Sequence, residues 1–248
     1  MHKVLSSLLL GIGLLFATAA TAEPRTLPMA LDGIDTLVDV TAPEVAQAEA
    51  QPFAVILVHG FTRSRATMAG HAEALAKDGF WAVAPDLPYF LSSENNALAL
   101  RDLVAALSRG AAGKPISRFV LVGFSAGGLS ALLAARAPGV VGYIGLDPVD
   151  RPNGVGLAAA RRLMIPTYLL RGQASACNAS SIAEPWVKAL PSLVLDRQLP
   201  EASHCDFESP TDTLCRRLCG DTDPRRQATV LEFLRKALQQ IRDNAGPA

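Results

Sequence analysis

The sequence predicts an α/β fold built on one doubly wound, mostly parallel sheet. Short apolar runs alternate with segments of helical spacing, and no repeat or linker interrupts them. Phe53–Val58 and residues 119–122 are apolar at every position, as strands buried on both faces are. Because helices separate these strands, parallel pairing through crossover connections is expected.

The same patterns predict the elements in chain order. Strands are expected over residues 36–40, 53–58, 80–84, 119–122, 140–146, 165–170 and 192–199. Helices are expected over residues 64–78, 94–109, 126–137, 157–163, 181–190 and 225–241. Residues 24–28 are expected to be irregular, and residues 42–52 to form a polar connection.

Length and charge restrict the range of functions. The 248 residues suit one domain, expected over 23–248, with a large core. Lys and Arg together number 23, as do Asp and Glu, so the formal net charge is zero. This balance gives no electrostatic reason to expect a nucleic-acid partner and favours a neutral or apolar substrate. We expect no cofactor, and the oligomeric state is left open.

Residues 1–22 resemble a secretory signal peptide. A short positive start precedes an apolar stretch, and Ala20-Thr21-Ala22 supplies small residues before the expected cleavage site. The alternative is an uncleaved membrane anchor, although the stretch is slightly short for a span. The mature protein is therefore expected to be secreted or periplasmic, without stable insertion in a membrane.

Four cysteines lie in the last third of the chain: Cys177, Cys205, Cys215 and Cys219. An even number in an exported protein predicts two disulfides, and the sequence does not choose among the three possible pairings. Cys215 and Cys219 are spaced to share one face of a helix, which resembles half of a zinc site. No second close ligand pair accompanies them, so no metal is expected.

A nucleophile is predicted at Ser125. The motif Gly123-Phe124-Ser125-Ala126-Gly127 follows a predicted strand and opens a predicted helix. Such a G-x-S-x-G turn must be tight to push the serine hydroxyl clear of the sheet, and glycines permit that turn. The alternative is a tight turn in which the serine only caps the helix.

A serine hydroxyl needs a base, and His204 is predicted to supply it. In this topology the base follows the nucleophile and the acid along the chain. His204 lies just after the last strand and fits that order, whereas His59 precedes the serine. His71 falls in a helix expected at the surface. The alternative for His204 is a structural histidine beside a disulfide.

An acid must orient the imidazole, and Asp147 is predicted for that role. Asp147 directly follows the strand ending at Leu146, whereas the strand ending at Leu170 is followed by no acid until Glu184. Asp150 is the second choice. The alternative for Asp147 is a turn-forming residue before a proline.

Two backbone N–H groups are expected to form an oxyanion hole. One belongs to Ala126, the residue after the nucleophile, and the other to Phe61, in the loop after the strand Phe53–Val58. His59 is expected to brace that loop by hydrogen bonding.

The substrate cleft is expected to be open. Between Asp147 and the next expected strand lie only the seventeen residues 148–164, too few for a lid domain. Tyr89 and Phe90, with Leu91, are candidates for an apolar rim, and Phe61 and Phe124 for further substrate contacts. The alternative for residues 89–91 is that their side chains pack on the core.

Several blocks of the sequence resemble plant chlorophyllases of the α/β-hydrolase superfamily. They are His59-Gly60-Phe61, residues 78–85, residues 123–128, residues 145–150 and the cysteine-rich tail with Pro224-Arg225-Arg226. More distantly, the first blocks are similar to cutinases and polyester hydrolases, and residues 145–148 to lipases. The resemblance implies the α/β-hydrolase fold and ester hydrolysis, and it supports Asp147 as the acid. Phe124 and Ala126 stand where chlorophyllases carry His and Arg, so it does not specify the substrate.

Three functional hypotheses remain from the sequence. The first is hydrolysis of carboxylic esters through an acyl-enzyme formed on Ser125. The second keeps the same residues but changes the acceptor or the bond, giving an acyltransferase or a peptidase. The third is an exported binding protein that uses the fold without catalysis.

Overall fold

Eight strands form one sheet in the computed structural model, which describes residues 23–43 and 53–245. The expected signal peptide and most of the expected connection 42–52 lie outside the described residues. The strand order is β1-β2-β4-β3-β5-β6-β7-β8. The strands are β1 Arg25–Leu31, β2 Ile34–Thr41, β3 Phe53–Val58, β4 Trp81–Pro85, β5 Arg118–Phe124, β6 Val140–Leu146, β7 Thr167–Arg171 and β8 Leu193–Gln198.

Helices cover both faces of the sheet. They are α1 Ala69–Lys77, α2 Ser93–Ser108, α3 Ala126–Ala134, α4 Val155–Ala160, α5 Pro185–Ala189, α6 Thr213–Cys219 and α7 Pro224–Asn244. Short 3-10 helices lie at Arg65–Met68, Ala176–Asn178 and His204–Phe207. Within the described ranges, no helix combines the length and apolarity needed to cross a bilayer.

The pairing confirms the predicted doubly wound, mostly parallel sheet. Strands β4, β3, β5, β6, β7 and β8 pair parallel, whereas β1 and β2 form an antiparallel ribbon whose second strand pairs with β4. Only residues 147–166, including the short α4, separate β6 from β7, so no lid domain covers the sheet at this point.

Two hydrophobic cores lie on opposite faces of the sheet. Alternate residues of β3 divide between them, with Ile56 packing beside α2 and α3 and Leu57 beside α1 and α7. All six residues of β3 are buried, because helices cover the strand on both sides. The continuous apolar run in the sequence has this structural cause.

The prediction that residues 24–28 are irregular was wrong. Arg25–Leu31 forms β1, paired with β2 at the sheet edge, and its side chains are mostly exposed. An edge strand half open to solvent lacks a continuous apolar run, and it tolerates Pro28 because one side of the strand needs no partner. The position at the sheet edge therefore explains why the sequence pattern did not predict this strand.

The expected surface position of His71 was also wrong. Its side chain lies beneath α1 at 2% exposure, and Nε2 donates a hydrogen bond to the Phe207 carbonyl over 3.1 Å. The helix therefore presents an imidazole to the core, where this one bond satisfies a ring nitrogen.

Two disulfides are present, as predicted, and they settle the pairing that the sequence left open. Cys177 is bonded to Cys219, and Cys205 to Cys215. Cys215 and Cys219 both lie on α6, a helix that the sequence analysis did not identify. The helix therefore ties together two loops, one containing Cys177 and the other Cys205.

Candidate active site

Ser125 occupies a sharp turn between β5 and α3. Its backbone has φ 55° and ψ −128°, a conformation that residues other than glycine rarely adopt. The turn is held by the Ser125 N–H, which donates to the Leu146 carbonyl over 3.1 Å, and by the Ser125 carbonyl, which accepts from Gly128 and Val149. Such a strained, well-held turn is typical of a nucleophile that must project from the sheet.

The glycines around Ser125 are required by close backbone approach. A Cβ at Gly123 would lie 2.5 Å from the Gly127 carbonyl oxygen, and one at Gly127 would lie 2.1 Å from the His59 carbonyl oxygen. A Cβ at Gly128 would lie 2.7 Å from Pro148 Cβ. Strand, helix and the neighbouring loop therefore pack at distances that admit no side chain.

His204 lies against Ser125 at the carboxyl ends of the strands. It begins the 3-10 helix His204–Phe207, and its Nε2 lies 2.9 Å from Ser125 Oγ. Its Nδ1 lies 2.6 Å from Asp147 Oδ2. All three side chains are buried, so the hydrogen bonds are shielded from water. This arrangement can move the serine proton to Nε2 while the carboxylate holds Nδ1–H.

Asp147 follows β6 and receives hydrogen bonds from three other residues. Oδ1 accepts from the Gly172 N–H over 2.9 Å, and Oδ2 faces His204. The Asn178 amide nitrogen lies 3.2 Å from each carboxylate oxygen. These donors compensate the burial of a charged group.

The structure gives Asp150, the second choice for the acid, other partners. Its Oδ1 accepts from the Gly156 N–H and its Oδ2 from the Leu157 N–H, each over 2.8 Å, at the start of α4. Its Oδ2 also accepts from Trp186 Nε1 over 2.8 Å. Asp150 thus holds α4 and α5 against the core.

Two buried carboxylates fix the segment after His204. Asp206 accepts from the Ser203 N–H over 2.8 Å and from Arg226 Nε over 2.6 Å. Glu208 pairs with Arg63, which lies in the loop after β3. These contacts and the adjacent Cys205 disulfide leave the imidazole little freedom to move.

The two expected oxyanion donors lie on adjoining segments. Ala126 is the first residue of α3, where N–H groups have no partner within the helix. Gly60 packs against the serine, since a Cβ there would lie 3.0 Å from Ser125 Cβ, and Phe61 follows it. The β3 loop and the α3 terminus therefore meet beside the serine.

His59 links the loops that follow β3 and β4. Its Nδ1 donates to the Gly60 carbonyl over 2.8 Å, and its Nε2 accepts from the Leu87 N–H over 2.9 Å. Burial lowers the pKa of His59 and favours the neutral ring, which can both donate and accept. This is the bracing contact expected from the sequence.

A cleft of about 390 Å³ opens above Ser125. Phe61 and Phe90, both exposed, contact each other across its rim with ring centroids 4.7 Å apart, and Leu91 lies beside them. Tyr89 also lines the cleft, but its hydroxyl donates to Asp32 Oδ2 over 2.7 Å. The rim is therefore apolar at Phe61, Phe90 and Leu91.

The burial of Phe124 does not fit the expected substrate contact. The side chain is 2% exposed and is absent from the cleft lining. Its ring packs against the His204 imidazole with centroids 4.7 Å apart. Phe124 thus packs against the His204 ring from the core side, because it is the last residue of β5 and its side chain points into the core.

Sequence reasoning missed three residues of this site: Arg63, Gly172 and Asn178. Arg63 and Asn178 lie in loops without periodicity, and their partners are distant in sequence. Gly172 directly follows β7, and the sequence analysis considered this position only as one that lacks an acidic residue. The polar residues of the strand-end loops are the one signal that could have found them.

The sequence profile of the alpha/beta hydrolase family matches residues 55–242. No curated protein matches the chain significantly.

Among solved structures, a dienelactone hydrolase from Anabaena variabilis is similar at TM-score 0.67 and 17% identity, covering 88% of this chain and 98% of that one. Thermogutta terrifontis esterase 2, phosphorylated by paraoxon, is similar at TM-score 0.66 and 19% identity, with coverages of 90% and 95%. A bacterial membrane phospholipase A gives TM-score 0.66 and 15% identity, with coverages of 90% and 88%. At these identities the likeness concerns the fold.

Proposed function

Because the chain belongs to the alpha/beta hydrolase family, we propose that it is an exported serine hydrolase that cleaves carboxylic esters. The observation that carries this proposal is the continuous hydrogen-bonded series from Ser125 through His204 to Asp147. A relic used only for binding would have no need to keep a strained serine turn aligned with a buried imidazole and carboxylate. The site therefore favours catalysis over the binding-protein hypothesis.

The first half of the proposed reaction forms an acyl-enzyme. Ser125 Oγ attacks the ester carbonyl carbon while His204 Nε2 takes the hydroxyl proton. The carbonyl oxygen gains negative charge, which the N–H groups of Phe61 and Ala126 stabilise. The tetrahedral intermediate then collapses, and the alcohol leaves with the proton from His204.

The second half releases the acid. Water attacks the acyl carbon and gives a proton to His204 Nε2, and a second tetrahedral intermediate forms. It expels Ser125 Oγ, which takes the proton back. Asp147 stays ionised throughout and holds Nδ1–H, so that Nε2 faces the serine.

Two features support an ester with a bulky or apolar acid or alcohol. No lid domain separates β6 from β7, and the exposed Phe61 and Phe90 border the cleft. The motif resemblance to chlorophyllases points to the same bond type. Dienelactone hydrolase, esterase and phospholipase are names of structural neighbours, and all three describe ester cleavage.

Export is supported by the signal-like residues 1–22 and by the two disulfides. Disulfides persist in oxidising compartments, and here all four cysteines are paired. We therefore propose a secreted or periplasmic location. N-terminal sequencing of the mature protein tests it, with Glu23 as the expected first residue.

Labelling with a fluorophosphonate probe tests the nucleophile. The wild-type protein should label and Ser125→Ala should not, whereas Ser108→Ala, on α2 away from the cleft, should label like wild type.

An ester panel with product analysis then separates the reaction classes. Release of free acid supports hydrolysis, and transfer to an added alcohol or cleavage of amides only would favour the alternatives. Unlabelled wild-type protein without turnover would refute the proposal.

A further inference from the structure

We infer that the buried amide of Asn178 is a positioning residue, which fixes the Asp147 carboxylate for its contact with His204. The inference rests on the proposed function and adds a residue to that site. Asn178 lies 31 positions from Asp147 in the sequence, on a loop that has no other part in the proposed reaction.

The amide nitrogen of Asn178 faces the carboxylate as a whole. It lies 3.2 Å from both Oδ1 and Oδ2 of Asp147, and 2.8 Å from the Gln173 carbonyl oxygen. Since the nitrogen carries two protons, one serves the carbonyl and the other is shared by the two carboxylate oxygens. Asn178 is fully buried, so no water competes for these contacts.

The orientation of the amide is determined by its oxygen. Oδ1 of Asn178 accepts from the Ser175 N–H over 2.8 Å and from the Ser181 N–H over 3.0 Å. A flipped amide would turn its NH2 group toward these two donors and its oxygen toward the Asp147 carboxylate. Five contacts therefore require the nitrogen to face Asp147.

Asn178 adds a contact that acts on the Asp147 carboxylate as a whole. The Gly172 N–H holds Oδ1 and His204 holds Oδ2, each at one oxygen. These two contacts oppose rotation of the carboxylate about its Cβ–Cγ bond, and the donor shared by both oxygens opposes displacement of the whole group away from Asn178. This keeps Oδ2 directed at Nδ1 while the ring gains and loses its proton.

A neutral donor is suited to this position. A cation in contact with Asp147 would offset the negative charge that stabilises a protonated His204 during the reaction. The nearby Arg171 instead pairs with Asp196 through two hydrogen bonds of 2.7 Å. Asn178 thus supplies a hydrogen bond while the full charge of Asp147 remains available to the imidazole.

The loop around Asn178 is held firmly enough to keep the amide in place. The Cys177–Cys219 disulfide anchors the preceding residue to α6. Ala179, Ser180 and Ser181 all have positive φ, at 47°, 56° and 60°. Three consecutive residues in this disfavoured region persist only where the surroundings determine the conformation.

Two variants test the inference, with Ser180→Ala as an exposed control in the same loop. Asn178→Ala removes the donor. Asn178→Asp keeps the acceptor oxygen for Ser175 and Ser181 but sets a second carboxylate against Asp147. We expect kcat on an activated ester to fall roughly ten- to a hundredfold in Asn178→Ala, as for loss of a hydrogen bond to a charged group, with KM within about twofold. In Asn178→Asp, kcat should fall further at neutral pH. It should recover in part on acidification, when the new carboxyl group at position 178 is protonated and can donate a hydrogen bond.

A spectroscopic measurement tests the contact without relying on turnover. The His204 Nδ1 proton should give a far-downfield ¹H resonance, assigned by its loss in His204→Gln. The resonance should shift in Asn178→Ala and stay in place in Ser180→Ala. An unshifted resonance in Asn178→Ala would overturn the inference, as would an unchanged kcat measured well below a lowered melting temperature. Absence of turnover in wild type would count against the proposed function alone, since the resonance still reports on Asn178.

Discussion

Arg63 and Glu208 form a buried ion pair that joins the loop after β3 to the segment after His204. Arg63 Nε lies 2.9 Å from Oε2 and an Arg63 terminal nitrogen 2.7 Å from Oε1. Glu208 is fully buried, and the Arg63 side chain is 8% exposed. The pair thereby connects the loop that carries one expected oxyanion donor to the loop that carries the expected base.

Removing one partner of this ion pair should destabilise the folded protein strongly. We expect Arg63→Ala to lower the free energy of unfolding by about 3–5 kcal/mol, because Glu208 would lose its bidentate partner inside the protein. The double variant Arg63→Met with Glu208→Leu should lose less of the free energy of unfolding, because it leaves no unpaired charge inside the protein. Urea unfolding measures both, with Arg235→Ala as control, since its pair with Asp78 is partly exposed and should contribute at most about 1 kcal/mol. Equal losses for Arg63→Ala and the control would contradict the expectation.

Gly127 should tolerate no side chain. In Gly127→Ala the Cβ would meet the His59 carbonyl oxygen, and either α3 or the β3 loop must move. We expect a loss of about 3 kcal/mol or more and no fluorophosphonate labelling. Gly154→Ala is the control, since it has positive φ but nothing within 4 Å, and should cost roughly 1 kcal/mol. Normal labelling of Gly127→Ala would show that the close approach is not needed.

The two disulfides should differ in their effects. The chain separation is 42 residues for Cys177–Cys219 and 10 for Cys205–Cys215. Loop entropy predicts a stability loss of about 4 kcal/mol for removal of the first and about 3 for the second. Activity should fall more on removal of the second, because Cys205 adjoins His204. Double Cys→Ser variants, compared by thermal unfolding and ester hydrolysis, test this, and an identical activity in both variants would contradict it.

Buried histidines should make the protein less stable in acid. Burial lowers the pKa of His71, so the folded state resists protonation that the unfolded chain accepts near pH 6.5. As the pH falls below about 6.5, the unfolded chain binds more protons and stability declines, by at most about 1.4 kcal/mol per pH unit for one histidine. Melting temperatures from pH 7 to pH 5 should fall more steeply in wild type than in His71→Gln, whose amide can still donate to Phe207. Parallel curves would argue against this contribution.

Phe90 should affect the preference for large substrates. Its ring contacts Phe61 at the rim and is 68% exposed. We expect Phe90→Ala to raise KM for octanoyl esters roughly fivefold, as for loss of about 1 kcal/mol of apolar and aromatic contact, with a smaller change for acetyl esters. Met164→Ala removes an equally exposed side chain just before β7 and should change neither. A wild-type preference for acetyl over octanoyl esters would contradict the open cleft.

The strands of the parallel sheet were the most predictable part of the fold. A strand buried on both faces, such as β3, requires apolar residues at every position, and this requirement is visible in the sequence. The ends of these strands then place Ser125, Asp147 and His204 at one edge, as their order along the chain suggested. By contrast, α6 is short, and its position depends on cysteine partners that spacing alone does not identify.

The surroundings of the site were harder to predict because they depend on contacts between distant loops. Along the chain, α4, β7 and the loops around them separate Asn178 from Asp147, and no periodicity links the two residues. Phe124 was assigned to the cleft from its place beside Ser125, although its strand directs it inward. His71 was expected at the surface because helical spacing does not reveal that residues 207–209 pack against its side of α1.

Gly172 has a consequence for how the acid is carried in this fold. Its N–H donates to Asp147, and a Cβ at this position would lie 3.2 Å from Asp147 Oδ2 and 3.0 Å from the Phe207 ring. A side chain after β7 would therefore crowd both the Asp147 carboxylate and the ring of Phe207. The acid that follows β6 thus depends on a glycine that follows β7, which donates its N–H and leaves room for the carboxylate.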